Sequence, residues 1–135
     1  MNKPHISTHI LDTTLGRPAP DVSIKLYKFV KSSWSFISER GEKECKTLSN
    51  GRCEDLLQIA NATLTADRYK LIFEVKKYFD STNTNALYPE IDIIVEIKNA
   101  EQNYHLPLLL NPYGYMSLVE DIERRNVLKM CALLS

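Results

Sequence analysis

The segment "NYHLPLLLNPYGYMSLVED" (residues 103–121) contains the alternation that decides the fold. In an extended chain, successive side chains point to opposite faces. One face of the stretch 104–110 is therefore an apolar stripe of Leu106, Leu108 and Leu110, and the other carries His105, Pro107 and Leu109. This period of two predicts a β-strand with one buried face. Because proline cannot donate to a β-ladder, Pro107 predicts an edge strand or a local irregularity.

Similar short apolar runs recur along the chain between turn residues, which predicts an all-β sandwich. The predicted strands are residues 5–12, 22–29, 33–38, 44–49, 68–75, 91–98 and 104–110. Gly, Pro, Asp and Asn predict turns at 16–21 and 111–115, and an Asn-Gly pair ends the fourth strand. Residues 76–82 are polar enough to form a short helix or a loop.

The sequence changes character after Tyr115. Ser117 is followed three residues later by Glu120, which is the pattern of a helix-starting capping box, and an apolar stripe then begins between charged residues. We therefore predict a helical segment over residues 117–130. The chain divides on this basis into a β-domain of residues 1–115 and a divergent C-terminal tail of residues 116–135.

The composition of the chain restricts its partners. At 135 residues it has the size of one domain with a core of its own. The 17 Lys and Arg residues balance 17 Asp and Glu residues, which argues against nucleic acid and anionic membrane surfaces as partners. The sequence shows neither a secretory signal nor a membrane-length apolar span. We therefore expect a soluble, cytoplasmic protein.

The three cysteines are Cys45, Cys53 and Cys131. Their number is odd and their spacing does not match a metal site. Free thiols in a reducing compartment are therefore favoured over a disulfide framework.

Three side chains are candidates for chemistry: His9, Arg52 and His105. Taken singly, each histidine is more often structural or solvated than catalytic. Neither belongs to an HExxH pattern, so a zinc site is not predicted. Arg52 follows an Asn-Gly turn at a strand end, where a guanidinium is either solvated or binds a planar anion through two parallel hydrogen bonds. From the residues alone, these alternatives stay open.

Four separated motifs occur in an order that resembles a known family. They are "ISTHILDTTLGRPAPDVSIKLYK", "SNGRCEDLL", "YPEIDIIVEI" and "YHLPLLLNPYGY". Over about residues 5–115 the chain is similar to the transthyretin-like family, and within it to the 5-hydroxyisourate hydrolases. The resemblance implies a two-sheet β-sandwich with one short helix, assembled as a homotetramer with active sites between dimers. It also implies hydrolysis of 5-hydroxyisourate to 2-oxo-4-hydroxy-4-carboxy-5-ureidoimidazoline in urate catabolism, without metal or organic cofactor.

Carried over by motif, the catalytic cluster of that family corresponds to His9 in "THILDT", Arg52 in "GRC" and His105 in "YHLPLLL". The expected roles are a base that activates water, a cation that stabilises an oxyanion, and a group that orients the base or the substrate. His9 is our hypothesis for the base, and the choice between the two histidines stays open. The family also ends in a Tyr-Arg-Gly-Ser tetrapeptide, which this sequence lacks. The alternatives are therefore a non-catalytic small-ligand carrier or an inactive variant. Some relatives are peroxisomal, but no such signal is present here.

Overall fold

The computed structural model describes residues 3–37, 45–54, 56–59 and 62–118, which form ten strands and two short helices. In chain order these elements are β1 (Ile6–Asp12), β2 (Arg17–Pro18), β3 (Ser23–Val30), β4 (Ser33–Phe36), β5 (Cys45–Lys46), β6 (Arg52–Cys53), α1 (Leu56–Ile59), β7 (Arg68–Glu74), α2 (Lys76–Ser81), β8 (Ile91–Glu96), β9 (Tyr104–Asn111) and β10 (Gly114–Ser117). Neither helix is long and apolar enough to cross a membrane.

The strands form two five-stranded sheets, which confirms the predicted all-β sandwich. Sheet 1 has the order β10–β9–β1–β2, and β6 also pairs with β1. Sheet 2 has the order β4–β3–β7–β8, and β5 also pairs with β3. In the described residues only β1 and β9 pair in parallel. The two strands that carry the candidate histidines are thus direct neighbours.

The core lies between the two sheets, as the alternation predicts. Sheet 1 contributes alternate residues of β1 and β9, and the leucine stripe of 106, 108 and 110 is at most 2% exposed. Sheet 2 contributes alternate residues of β3 and β7, among them Tyr69, Leu71 and Phe73, each 0% exposed. Alternation of apolar and polar residues thus fixes which side of each strand is buried.

The edge-strand alternative for Pro107 is wrong, because β9 lies between β10 and β1. Even-numbered residues of β9 point their backbone groups toward β1: Tyr104 donates to His5 O, and Leu110 O accepts from Thr13. Odd-numbered residues point toward β10, and Leu118 N donates to Pro107 O at 3.4 Å. Within the described residues, which end at Leu118, the pair Ser117↔Leu108 is the last of this ladder, so Pro107 lies beside its end.

The C-terminal part of the described chain also differs from the expectation. The turn predicted at 111–115 is shorter, because β10 begins at Gly114 and continues through Ser117. Ser117 is the last residue of β10 and its hydroxyl donates to Pro107 O at 3.3 Å, so the predicted helix does not include Ser117. The remainder of the predicted helix, from residue 119 onward, lies outside the described residues.

The helices and the shortest strands agree only in part with the prediction. Residues 76–81 form α2, in agreement with the short helix or loop expected there. A second helix, α1, and the two-residue strands β2 and β6 have no counterpart in the prediction. Elements of two to four residues are too short to show a hydrophobic period.

Cys45 and Cys53 form a disulfide, so the expectation of free thiols is wrong for these two residues. Their Cα atoms are 6.5 Å apart, within the usual range for a disulfide. Cys45 lies in β5 of sheet 2 and Cys53 in β6 of sheet 1. The bond therefore joins the two sheets beside Arg52. Cys131 lies outside the described residues.

Candidate active site

The outer face of sheet 1 brings together the three residues singled out in the sequence. In β1, Ile6, Thr8 and Ile10 are fully buried, so the residues between them face away from the core. By the same alternation, His105 of β9 and Arg52 of β6 lie on this outer face, because their neighbours Leu106 and Cys53 are buried. His9, Arg52 and His105 are each half-buried on it.

His9 faces Arg52 directly across the antiparallel pairing of β1 and β6. Directly opposed residues have their side chains on one face of the sheet, within reach of each other. A guanidinium thus stands beside an imidazole. A cationic group that binds a substrate and a group that accepts a proton from water must lie close together to act on the same molecule.

The loop before Arg52 is held against β1 by close backbone contacts. Gly51 has φ +78° and its carbonyl accepts a hydrogen bond from Ile10 N at 2.8 Å. A Cβ at this position would lie 2.5 Å from Ile10 O, so only glycine allows the approach. Arg52 N donates to Asn50 Oδ1 at 3.0 Å, and Arg52 O accepts from Leu48 N at 2.9 Å. These contacts fix the backbone from which the Arg52 side chain projects.

His105 occupies the same face one strand away. In the parallel pairing of β1 and β9, His105 faces Ser7, and His9 faces Pro107. Neighbouring strands lie about 4.8 Å apart and alternate residues about 6.6 Å apart, so the Cα atoms of His9 and His105 are roughly 8 Å apart. The Ser7 hydroxyl lies 2.8 Å from His105 Nδ1. The two imidazoles therefore project from the same face of sheet 1, on neighbouring strands.

The end of β1 is fixed by a buried carboxylate. Asp12 is 3% exposed, and its Oδ1 accepts hydrogen bonds of 2.9 Å from the backbone N–H groups of Thr14 and Leu15. Its Oδ2 accepts a hydrogen bond of 2.6 Å from the hydroxyl of Tyr78 in α2. Burial, followed by this hydrogen bond to Asp12, raises the pKa of Tyr78 to about 12. Helix α2 thereby anchors the strand that carries His9.

This arrangement contains groups that the hydrolysis of an amide can use. Two imidazoles can hold and transfer protons, and a guanidinium can bind an anion and stabilise developing negative charge. Among the described residues, no three His, Cys, Asp or Glu side chains lie close enough to hold a metal ion. Ser7 lies on the same face, two residues before His9 on the alternating strand, and was not predicted as a site residue from the sequence.

Comparison with known proteins gives a family match over the described fold. A model of the HIUase/Transthyretin family matches residues 6–118. A protein of Schizosaccharomyces pombe named "Probable 5-hydroxyisourate hydrolase" is 37% identical over 115 residues, which cover 83% of this chain and 87% of that protein. The match therefore includes β1, β6 and β9, the three strands that carry the candidate residues.

Two solved structures show the same architecture. The 5-hydroxyisourate hydrolase of Klebsiella pneumoniae superimposes with a TM-score of 0.68 at 25% identity, covering 87% of this chain and 94% of that one. Sea bream transthyretin in complex with thyroxine superimposes with a TM-score of 0.75 at 20% identity, covering 88% and 97%. The transthyretin likeness, at that low identity, shows the fold alone.

Proposed function

Because this chain belongs to the HIUase/Transthyretin family, we propose that it is a hydrolase that opens the ring of 5-hydroxyisourate. The reaction hydrolyses a cyclic amide and yields 2-oxo-4-hydroxy-4-carboxy-5-ureidoimidazoline, a step of urate catabolism. The observation that carries the proposal is the meeting of His9, Arg52 and His105 on the outer face of sheet 1. The family match over residues 6–118 includes all three positions.

Each residue of the cluster has a role that follows from its chemistry. His9 accepts a proton from a water molecule, which then attacks the amide carbonyl carbon of the ring. Arg52, directly opposite His9, binds the anionic heterocycle through its planar fork and stabilises the oxyanion that forms at the carbonyl. His105 orients the substrate from the neighbouring strand. As the amide bond breaks, the departing ring nitrogen takes up the proton that His9 removed from the water.

The site lies on the outside of a sheet, so it requires cover from a second subunit. We propose a homotetramer in which the outer faces of sheet 1 approach each other and enclose the substrate. Exclusion of bulk water strengthens the interaction of Arg52 with developing charge. Light scattering after gel filtration measures the assembly directly, and a mass of one or two chains contradicts this part of the proposal.

The chain lacks the Tyr-Arg-Gly-Ser end expected of the family, and β10 begins within the shared "PYGY" motif and ends at Ser117. Met116 faces Leu109 in the pairing of β10 with β9, on the same outer face as His105. Catalysis in this chain therefore rests on the His-Arg-His cluster. No observation favours the carrier alternative over the hydrolase.

The test uses freshly prepared 5-hydroxyisourate and follows its ultraviolet absorbance with and without the intact protein. We expect decay far faster than the spontaneous rate, and a loss of about 100-fold or more in His9→Ala and in Arg52→Ala. His5→Ala is the matched control. His5 precedes β1 and its Nδ1 lies 3.2 Å from Lys3 O, so this histidine is not part of the cluster. If 5-hydroxyisourate decays only at its spontaneous rate in the presence of the folded protein, the proposal is overturned.

A further inference from the structure

The register of β1 and β9 places a serine hydroxyl against one of the two site histidines. Ser7 and His105 are 98 residues apart in sequence but face each other in the parallel pairing. Ser7 Oγ lies 2.8 Å from His105 Nδ1, and Ser7 is 7% exposed. The hydrogen bond occupies one ring nitrogen, so any contact of the ring with the substrate is made by Nε2.

The direction of this hydrogen bond determines the tautomer of His105. A neutral imidazole has one N–H and one accepting nitrogen, and a serine hydroxyl has a single hydrogen to donate. Among the described residues, the Ser7 hydroxyl has no hydrogen-bond partner other than His105 Nδ1. If Nδ1 carried the proton, the hydrogen of this nearly buried hydroxyl would lack an acceptor within the described chain, which is unfavourable.

We propose that Ser7 is a positioning residue that donates its hydroxyl hydrogen to Nδ1 of His105 and thereby places the imidazole proton on Nε2. In this tautomer His105 presents an N–H group to the site. It donates a hydrogen bond to the carbonyl oxygen under attack, and His9 is left as the base that takes the proton from water. The inference rests on the proposed function for its catalytic consequence. The tautomer itself does not depend on that function.

The backbone supports this role for Ser7. Both residues lie within a pairing that runs without interruption from Ile6↔Tyr104 to Asp12↔Leu110. Thr8, the next residue of β1, donates to Leu106 O at 2.6 Å from the opposite face. A hydroxyl held at this register restricts rotation of the His105 ring. A histidine on a solvated face has no such restriction.

The first experiment measures the tautomer on the intact, substrate-free protein labelled with ¹⁵N-histidine. Long-range ¹H–¹⁵N correlation spectra at a pH where the rings are neutral distinguish a protonated from an unprotonated ring nitrogen. The signals missing from the spectrum of His105→Gln identify those of His105. We expect Nε2 of His105 to carry the proton and Nδ1 to be unprotonated. A protonated Nδ1 in the wild-type protein overturns the proposal, whatever the behaviour of the variants.

The second experiment compares Ser7→Ala with Ser7→Thr, which keeps a hydroxyl on a β-strand. Loss of the hydroxyl should populate both tautomers in Ser7→Ala and lower kcat for 5-hydroxyisourate about tenfold, with KM within about twofold of wild type. Ser7→Thr should restore both the tautomer and kcat. Ser117→Ala is the control, because it removes a hydroxyl bonded to the backbone of β9 without contacting a histidine.

The outcomes separate this inference from the proposed function. An unchanged tautomer or an unchanged kcat in Ser7→Ala overturns the positioning role. A wild-type protein that has the Nε2–H tautomer but does not accelerate decay of 5-hydroxyisourate overturns the proposed function, while the assignment of the hydrogen bond stands.

Discussion

The hydroxyl of Tyr78 donates a hydrogen bond of 2.6 Å to Oδ2 of Asp12, and both side chains are buried. The contact joins helix α2 of the chain's second half to the end of β1, 66 residues earlier. We expect Tyr78→Phe to lower the free energy of unfolding by about 2 kcal/mol, because a buried carboxylate oxygen loses its donor. Urea denaturation at pH 7 measures the change, and Tyr113→Phe, at a residue that is 70% exposed, is the matched control.

The same pair predicts a dependence of stability on pH. The pKa of Tyr78 is raised from its ordinary value of 10.0 to about 12, chiefly by burial and then by Asp12. In the unfolded chain the phenol ionises near pH 10, while in the folded chain it stays neutral. The stabilisation from Tyr78 is therefore complete below pH 10 and is lost as the pH rises toward about 12. The difference in unfolding free energy between wild type and Tyr78→Phe should shrink over this interval. A constant difference contradicts the prediction.

Gly51 should be far less tolerant of a side chain than Gly16, although both have a positive φ. At Gly16, with φ +68°, an added Cβ meets nothing within 4 Å, so Gly16→Ala should cost only about 1 kcal/mol of backbone strain. At Gly51 the Cβ would also lie 2.5 Å from Ile10 O and 2.9 Å from the Cβ of Pro18. We expect Gly51→Ala to cost at least about 2 kcal/mol more, since the loop must move away from β1.

The readout for Gly51→Ala has two parts. Thermal unfolding compares the two alanine variants, and the ultraviolet assay compares their kcat/KM. Because Arg52 follows Gly51 directly, Gly51→Ala should lower kcat/KM while Gly16→Ala leaves it unchanged. Equal stability of the two variants contradicts the close approach of Gly51 to β1.

The disulfide between Cys45 and Cys53 should stabilise the junction of the two sheets. The residues are separated by 8 positions, and a loop of this size corresponds to about 2.5 kcal/mol of stabilisation through the unfolded chain. Cys45→Ser and Cys53→Ser should each lose about this amount, and the double variant should lose much less than the sum. Dithiothreitol should remove most of the difference between wild type and the variants. Additive losses that reductant does not affect contradict the bond.

Alternation along the strands is the part of this fold that can be predicted from the sequence. It predicts the burial of Leu106, Leu108 and Leu110 and places His105 on the opposite face, and the structure confirms both. The edge-strand alternative for Pro107 was wrong, because β9 has a neighbour on each side. The sequence does not reveal that the last described pair of β9 with β10, Ser117↔Leu108, lies directly beside the proline.

The relations between strands cannot be predicted in this way, because they depend on register. Ser7 and His105 meet only because β1 and β9 pair in parallel with one particular alignment. Cys45 and Cys53 lie in different sheets, so their distance depends on how the sheets pack. The family resemblance supplies the cluster of site residues as a set, but the supporting hydroxyl becomes visible only in three dimensions.

Arg52→Lys should separate the charge of the side chain from its shape. Both residues are cationic, but only arginine offers a planar fork that binds an anionic heterocycle through two parallel hydrogen bonds. We expect Arg52→Lys to raise KM and to lower kcat, with kcat/KM reduced about 10- to 100-fold, whereas Arg52→Ala loses more. Arg68→Lys is the control, because Arg68 lies in sheet 2 and its Nε is 3.9 Å from Glu96 Oε1 in an exposed ion pair. Unchanged kcat and KM in Arg52→Lys would show that Arg52 acts only as a point charge.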